Sequence, residues 1–426
     1  MEIHVVQPGD TLFQLARQYQ VPMDRLIQDN QLPDPSQLVV GQTILIQRPE
    51  VTHTVRAGDS LYSIAQTHHT TVTQLLRNNP ALQGRDLVFP GQVIVVSYWD
   101  RPQGELTVNA YAYPSISRDL LRATLPYLSQ LTPFTYRFTG EGQLIPPEDT
   151  GLASAALQSR VAPILHLSNL DEEESFSPEL AHALLSSQEA QGRLIASLLD
   201  TAAQEGFLGV DVDFESIYSQ DSQEYAQFLG RLRQALSSRQ LPLMAALAPK
   251  TSAEQPGRQY EGHDYHLIAQ NVDFALLMTY DWGWAGGPPM AVAPLPQVRQ
   301  VVEYALTEFS PQALYLGIPN YGYNWTLPFR EGSRAVSLDN VEAVRLAWNR
   351  HARIRYDGSA QSPWYRYVDD SGAEHEVWFE DCRSIQAKLE LAQEYRLRGV
   401  GYWNLDRPFP QNWVLLNGTT NIRDGM

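Results

Sequence analysis

The chain has 426 residues, more than one typical domain, and 43% of them are hydrophobic, ample for a packed core. Its 48 acidic against 31 basic residues give a net charge of −17, which excludes partners held by phosphate neutralisation, so neither nucleic acid nor an anionic membrane is expected. The single cysteine, Cys382, excludes a disulfide framework or a multi-thiolate zinc site, and no apolar run approaches the ~20 residues of a membrane span.

In chain order, the first signal is a start without a leader: MEIHVVQPGD has neither the basic opening nor the apolar stretch of a secretory peptide, so ordinary export is not expected. The second signal is a repeat. HVVQPGDTLFQLARQYQVPMDRLIQDN, from His4, returns without a gap as HTVRAGDSLYSIAQTHHTTVTQLLRNN, from His53. Each copy opens with a β-branched run, then Gly-Asp-Thr/Ser, a turn followed by a hydroxyl able to cap a helix. Leu12, Leu15 and Ala16, like Leu61, Ile64 and Ala65, have the spacing of a helical apolar face. A second short helix, around Met23 to Gln28 or Val72 to Arg77, runs on to Asn30 or Asn79, and a strand follows in GQTILIQ and GQVIVVS. The unit is βααβ, used twice.

These two units resemble LysM modules, and the expected boundaries are 1–48 and 49–98. The resemblance implies binding of N-acetylglucosamine chains between two loops. In the first unit these would be Gly9, Asp10, Thr11 and Leu12 with Leu38, Val39 and Val40; in the second, Gly58, Asp59, Ser60 and Leu61 with Val88, Phe89 and Pro90. Helix capping is the plainer reading of Asp10, Thr11, Asp59 and Ser60, and the two roles are compatible. The pair His68 and His69 is read as solvated surface rather than a metal site, for want of a third ligand at usable spacing.

Residues 1–98 carry a net charge of −2 and the remainder −15, and all nine tryptophans lie from Trp99 onward. After a short linker at Arg101 to Glu105, candidate strands alternate with helical stretches. They begin at Leu106, Pro133, Ala162, Leu208, Pro242, Asp273, Ala313 and Gly399. Eight strands over 99–426 predict a (β/α)8 barrel, an α/β fold. A doubly wound sheet would need a glycine-rich phosphate turn after the first strand, and none is present. The polar, aromatic stretch at about 323–378 predicts a small antiparallel α+β insertion between the seventh and eighth strands, walling one side of a groove.

The fourth strand contains GVDVDFES, from Gly209 to Ser216. Residues two apart share a strand face, so Asp211, Asp213 and Glu215 point together into the barrel, with Glu215 last, at the C-terminal mouth where barrel enzymes keep their chemistry. A calcium loop counted from Asp211 fails, because Ser216 stands where glycine belongs and Ser222 where glutamate belongs. A carboxyl held protonated beside a charged one is what a general acid needs.

The stretch resembles the Asp-x-Asp-x-Glu signature of glycoside hydrolase family 18, whose members are (β/α)8 barrels, although Leu208 stands where the broader family has another aspartate. MTYDWGWAGGPPMAVAPL from Met278, GIPNYGYNWTLPF from Gly317, VWFED from Val377 and PFPQNW from Pro408 resemble the branch found as spore cortex-lytic enzymes with tandem LysM modules. That branch implies Glu215 as the acid, Asp213 holding the substrate's acetamido N–H, Asp211 sharing a proton with Asp213, and Tyr280 bonding the acetamido oxygen. Asp281, Trp282, Asn320, Tyr321 and Trp403 would bind substrate. From the residues alone, Trp282, Trp284 and Trp325 are read equally as cleft lining or core. The implied enzyme is a monomeric peptidoglycan N-acetylglucosaminidase needing neither metal nor organic cofactor, deposited from the mother cell at the boundary of spore coat and cortex. A chitinase is the alternative within the family, and a noncatalytic glycan-binding coat protein the alternative outside it; the presence of Glu215 favours the enzyme.

Overall fold

The computed structural model describes residues 1–32, 34–148 and 151–425. Each repeat folds as βααβ around a core of its own. In the first, the strand Glu2–Val5 pairs antiparallel with Thr43–Ile46, and the helices Leu12–Tyr19 and Met23–Asn30 pack Leu12, Leu15 and Leu26 onto Ile44 and Ile46. In the second, Pro49–Thr54 pairs with Val93–Tyr98, and Leu61–Thr67 and Val72–Asn78 supply Leu61, Ile64 and Leu75. The repeated hydroxyls cap as the pattern predicts. Thr11 and Gln14, and Ser60 and Ser63, form reciprocal capping boxes. The repeated asparagines lock helix to strand: Asn30 accepts from Leu45 N–H at 2.7 Å and donates to its carbonyl at 2.9 Å, and Asn79 does the same with Val95 at 2.9 and 2.8 Å.

The aspartates of the repeats do not cap. Asp10 accepts from the Gln7 N–H at 2.7 Å and meets His4 Nε2 at 2.9 Å, while Asp59 accepts from Arg56 N–H at 2.8 Å and meets His53 Nε2 at 2.9 Å. They tie the turn before the helix back to the first strand. His68 is engaged as well, 3.1 Å from His53 Nδ1.

The larger domain is a closed parallel barrel. Its strands are Glu105–Ala112, Gln130–Pro133, a third in two pieces (Ala162–Pro163 and Leu165–Ser168), Val210–Asp213, Leu243–Leu247, Phe274–Leu277, Leu314–Pro319 and Gly399–Trp403. The broken third strand closes it, pairing with the second strand through its first piece and with the fourth through its second. The second strand differs from the expectation of a strand from Pro133 onward. It ends at Pro133, and the residues beyond turn into a small hairpin of Arg137–Phe138 with Leu144–Ile145. Valine, leucine and alanine side chains between strands and helices form one continuous core. Between the seventh and eighth strands lies a five-stranded antiparallel sheet running from Gly322–Leu327 to Glu374–Trp378, with the helix Asn340–Asn349 against it.

The repeats pack against the barrel and each other. Arg25, buried and paired with Asp29, reaches from the first repeat to the Asn78 carbonyl (2.6 Å) and the Tyr98 hydroxyl of the second. Gln411 on the last helix donates to Asn30 and to the Thr43 carbonyl at 2.8 and 2.9 Å, and Arg77 donates to the Pro126 carbonyl at 2.6 Å. No helix among the described residues is long and apolar enough to cross a membrane.

Candidate active site

The alternation in GVDVDFES sorts its side chains as a strand requires. Val210, Val212 and Phe214 are buried on the helix side, Phe214 stacking on Phe138, Tyr225 and Phe228. Asp211 and Asp213 point into the barrel, 0% and 5% exposed. Glu215 follows the strand and is only partly buried. The Tyr111 hydroxyl, on the first strand, donates to Asp211 Oδ2 at 2.7 Å. His166, on the third strand and in register with Asp211, brings Nε2 to 3.4 Å from Asp213 Oδ2 and 3.9 Å from Asp211 Oδ2. Its Nδ1 is 2.6 Å from Thr135 Oγ1. Asp211 Oδ1 and Asp213 Oδ1 are buried without hydrogen-bond partners.

The electrostatics follow from this crowding. Burial pushes Asp211 up to about 6; His166 and the Tyr111 hydroxyl oppose the shift and Asp213 adds to it. Glu215 is raised well above the ordinary carboxylate range by loss of water, then by the like charges of Asp213 and Asp281. A clamp orients it: Glu215 N–H donates to Asn169 Oδ1 and Asn169 Nδ2 to the Glu215 carbonyl, both at 2.9 Å.

Tyr280 lies just past the sixth strand, partly buried, its hydroxyl raised well above the usual tyrosine range by burial and by the neighbouring carboxylates. Its ring fits because residue 317 is glycine; a Cβ there would come within 2.9 Å of the ring and 2.3 Å of the Leu277 carbonyl. Asp281 adopts a left-handed backbone, φ 62°, and accepts from the Tyr321 hydroxyl at 2.7 Å. Loss of water raises it and the bonds from Tyr321 and Tyr323 oppose that shift. Trp403 ends the eighth strand, partly exposed, its ring braced edge-on by Phe134 (4.9 Å), Tyr111 (5.6 Å) and Tyr113 (5.9 Å).

Asp211, Asp213, Glu215, Tyr280, Asp281 and Trp403 therefore converge at the C-terminal mouth. Trp282 is partly buried there and Trp284 exposed, whereas Trp325 is sealed, with its indole N–H on the Gly287 carbonyl. Asn320, expected to bind substrate, is enclosed, with its Oδ1 buried and unpaired. It is 1% exposed, and its amide donates to the Asn404 and Arg407 carbonyls, so it braces the loop after the eighth strand from behind. Tyr321 is likewise buried, with its hydroxyl on Asp281. In the repeats, Gly9, Thr11, Gly58 and Ser60 are exposed and Asp10 and Asp59 partly so, but Leu12 and Leu61 are core residues whose side chains cannot meet a ligand. Tyr111, His166 and Asn169 escaped the sequence reading. Period-two alternation within NAYA and LHLS was the available signal, because it turns Tyr111 and His166 to the same interior as the acids.

Residues 168–407 match the model for glycosyl hydrolases family 18, and residues 4–47 and 53–97 match the LysM domain. A cortical fragment-lytic enzyme of Bacillus subtilis is 43% identical, with 99% of each chain covered. The solved spore cortex-lytic enzyme SleL of Bacillus cereus superposes with a TM-score of 0.85 at 37% identity, covering 100% of this chain and 99% of that one. SleL of Bacillus megaterium gives 0.84 at 34%, covering 99% and 98%.

Proposed function

The chain belongs to glycosyl hydrolases family 18 and carries two LysM domains, and from that premise we propose that it hydrolyses spore-cortex peptidoglycan on the far side of N-acetylglucosamine, with retention of configuration. The names of its relatives supply the polymer. The observation that carries the chemistry is Glu215, raised well above the ordinary range at the open end of a strand whose Asp213 lies behind it.

The residues act in sequence. Glu215, held toward its protonated form by loss of water and by Asp213 and Asp281, gives its proton to the glycosidic oxygen as that bond breaks. Family 18 uses the substrate's own 2-acetamido carbonyl oxygen as nucleophile, so no second protein carboxylate attacks. Asp213 accepts the acetamido N–H and offsets the positive charge of the cyclic oxazolinium, and Tyr280 donates to the acetamido oxygen. Asp211, raised to about 6, takes up or releases a proton as the charge on Asp213 is needed. Trp403 forms an apolar floor under the cleaved sugar. Water, deprotonated by the now ionised Glu215, opens the intermediate from the face the acetamido group did not occupy. Two inversions restore the β configuration.

In this reading the chain divides at 1–48, 49–98 and 99–426, works as a monomer, and reaches the coat and cortex boundary from the mother cell. Proton NMR of the first product from purified cortex fragments tests the mechanism: a β-anomer is expected, and an initial α-anomer would mean direct attack by water. Mass analysis of parallel digests of cortex and chitin tests the substrate, with faster release from cortex expected.

A further inference from the structure

The two LysM domains agree down to single hydrogen bonds in the loop that precedes their second strand. Val39 N–H donates to the Gln42 side chain at 3.0 Å and Phe89 N–H to that of Gln92 at 3.1 Å. Gly41 N–H donates to the Val6 carbonyl and Gly91 N–H to the Val55 carbonyl, both at 2.8 Å, and the two glycines have φ of 91° and 90°. Phe89 is thus the structural counterpart of Val39.

The surroundings of these matching loops are opposite. Val39 is 4% exposed, packed into the apolar cluster of the insertion with Leu338, Ile354 and Phe379. Ile354 N–H donates to the Val40 carbonyl at 2.9 Å, and the Arg383 guanidinium donates to the Gly41 carbonyl at 3.2 Å. A Cβ on Gly41 would fall 1.9 Å from the Ile354 carbonyl oxygen. In the second domain Phe89 is 62% exposed and Leu87 60%, and a Cβ on Gly91 would meet nothing within 4 Å.

We propose that the two domains divide the work. The second loop of the first domain is an internal clamp that fixes it to the catalytic insertion and takes no glycan on that wall. The second domain alone holds a glycan strand containing N-acetylglucosamine, between Gly58–Leu61 and Val88–Pro90, with the Phe89 ring against a sugar face. This rests on the reading of the LysM domains as glycan holders. Charge points to the same occupant. Within Gly58–Leu61 and Leu87–Gly91 the only ionisable side chain is Asp59, already tied to His53 and the Arg56 N–H, so nothing in those residues answers a phosphate or a charged peptide. A flat exposed ring suits the apolar face of a neutral sugar. Because Arg25 joins the second domain to the clamped first one, the bound strand stands at one displacement from Glu215 instead of on a loose tether.

The test uses the full chain with Glu215→Gln, so that the polymer is not consumed, and measures retention on sedimented cortex peptidoglycan. Pro8 and Ala57 occupy the same exposed place in the two first loops, so Pro8→Glu and Ala57→Glu are a matched pair. Phe89→Ala and Ala57→Glu are each expected to weaken retention about 10-fold, the equivalent of one stacked ring, with Pro8→Glu unchanged. Equal weakening by Pro8→Glu and Ala57→Glu would overturn the division and leave LysM attachment standing. Unaltered retention in Phe89→Ala and in the Pro8→Glu/Ala57→Glu double variant, each with wild-type thermal unfolding, would overturn attachment through these domains and the division with it.

Discussion

The carboxylates of the small domains and those of the barrel are the same chemical group under opposite conditions. Asp10 is held below the ordinary range first by the Gln7 N–H and then by His4, and Asp59 by His53 and the Arg56 N–H. Each has donors enough to stay charged and uses them to fasten a turn. Asp211 and Glu215 are driven the other way by burial and by neighbouring negative charge. Asp29 sharpens the distinction. Burial pushes it up to about 6 against the pull of Arg25, yet it is sealed between repeats with no path to substrate. A raised carboxyl can pass its proton to a ligand only where a ligand can reach it, and of these three only Glu215 is partly exposed, while Asp211 and Asp29 are fully buried.

The most forceful way to break this comparison is Glu215→Gln, which keeps shape and removes the transferable proton. Turnover of soluble cortex fragments should fall by about 10²- to 10⁴-fold while binding persists, as read by reducing-end release beside equilibrium binding. Asn169→Ala should come next. It loosens the backbone clamp without touching substrate, so kcat should drop on the order of 100-fold with KM little changed, whereas Asp29→Asn should leave kcat intact.

A third probe uses stability. The folded-state pKa of Asp211, about 6, lies above its ordinary unfolded value, so its contribution is fully present below the unfolded pKa and is lost as pH rises through 6. Asp211→Asn should therefore be more stable than the parent at pH 7.5, by about 1–3 kcal/mol in denaturant titration, and lose that advantage near pH 3.5. The smallest effect belongs to the repeats and has the reverse sign. Asp59 is depressed in the fold, so its contribution is present above the unfolded pKa and lost as pH falls through the folded one. Asp59→Asn should lower the melting temperature at pH 7, converge with the parent in acid, and leave kcat on soluble fragments within about twofold, since the sites are independent.

Much of this was legible because it is local. Gly-Asp-Thr and Gly-Asp-Ser specify a turn and a cap within four residues, and both capping boxes form where the spacing places them. Seven of the eight barrel strands are visible as apolar runs between helical stretches, and GVDVDFES discloses its own two faces through period two. The second strand was misplaced because Gln130–Pro133 is too short to show a period, while PFTYRFT beside it shows one and is used in a turn and a hairpin. Asn320 and Trp325 were ambiguous because an amide or an indole suits a cleft and a sealed bond to a carbonyl equally well.

The sequence by itself determined the repeat, the caps, the barrel and the acid strand, since each is written in side-chain spacing over a few residues and enforced by backbone hydrogen bonding and burial. Tertiary structure alone decided which residues complete the site and which repeat is free. Tyr111 meets Asp211 across 100 residues of chain, and Arg383 meets Gly41 across 342. Two loops with the same internal hydrogen bonds end up buried and exposed because their surroundings come from elsewhere in the chain, and a local pattern carries no record of what packs against it.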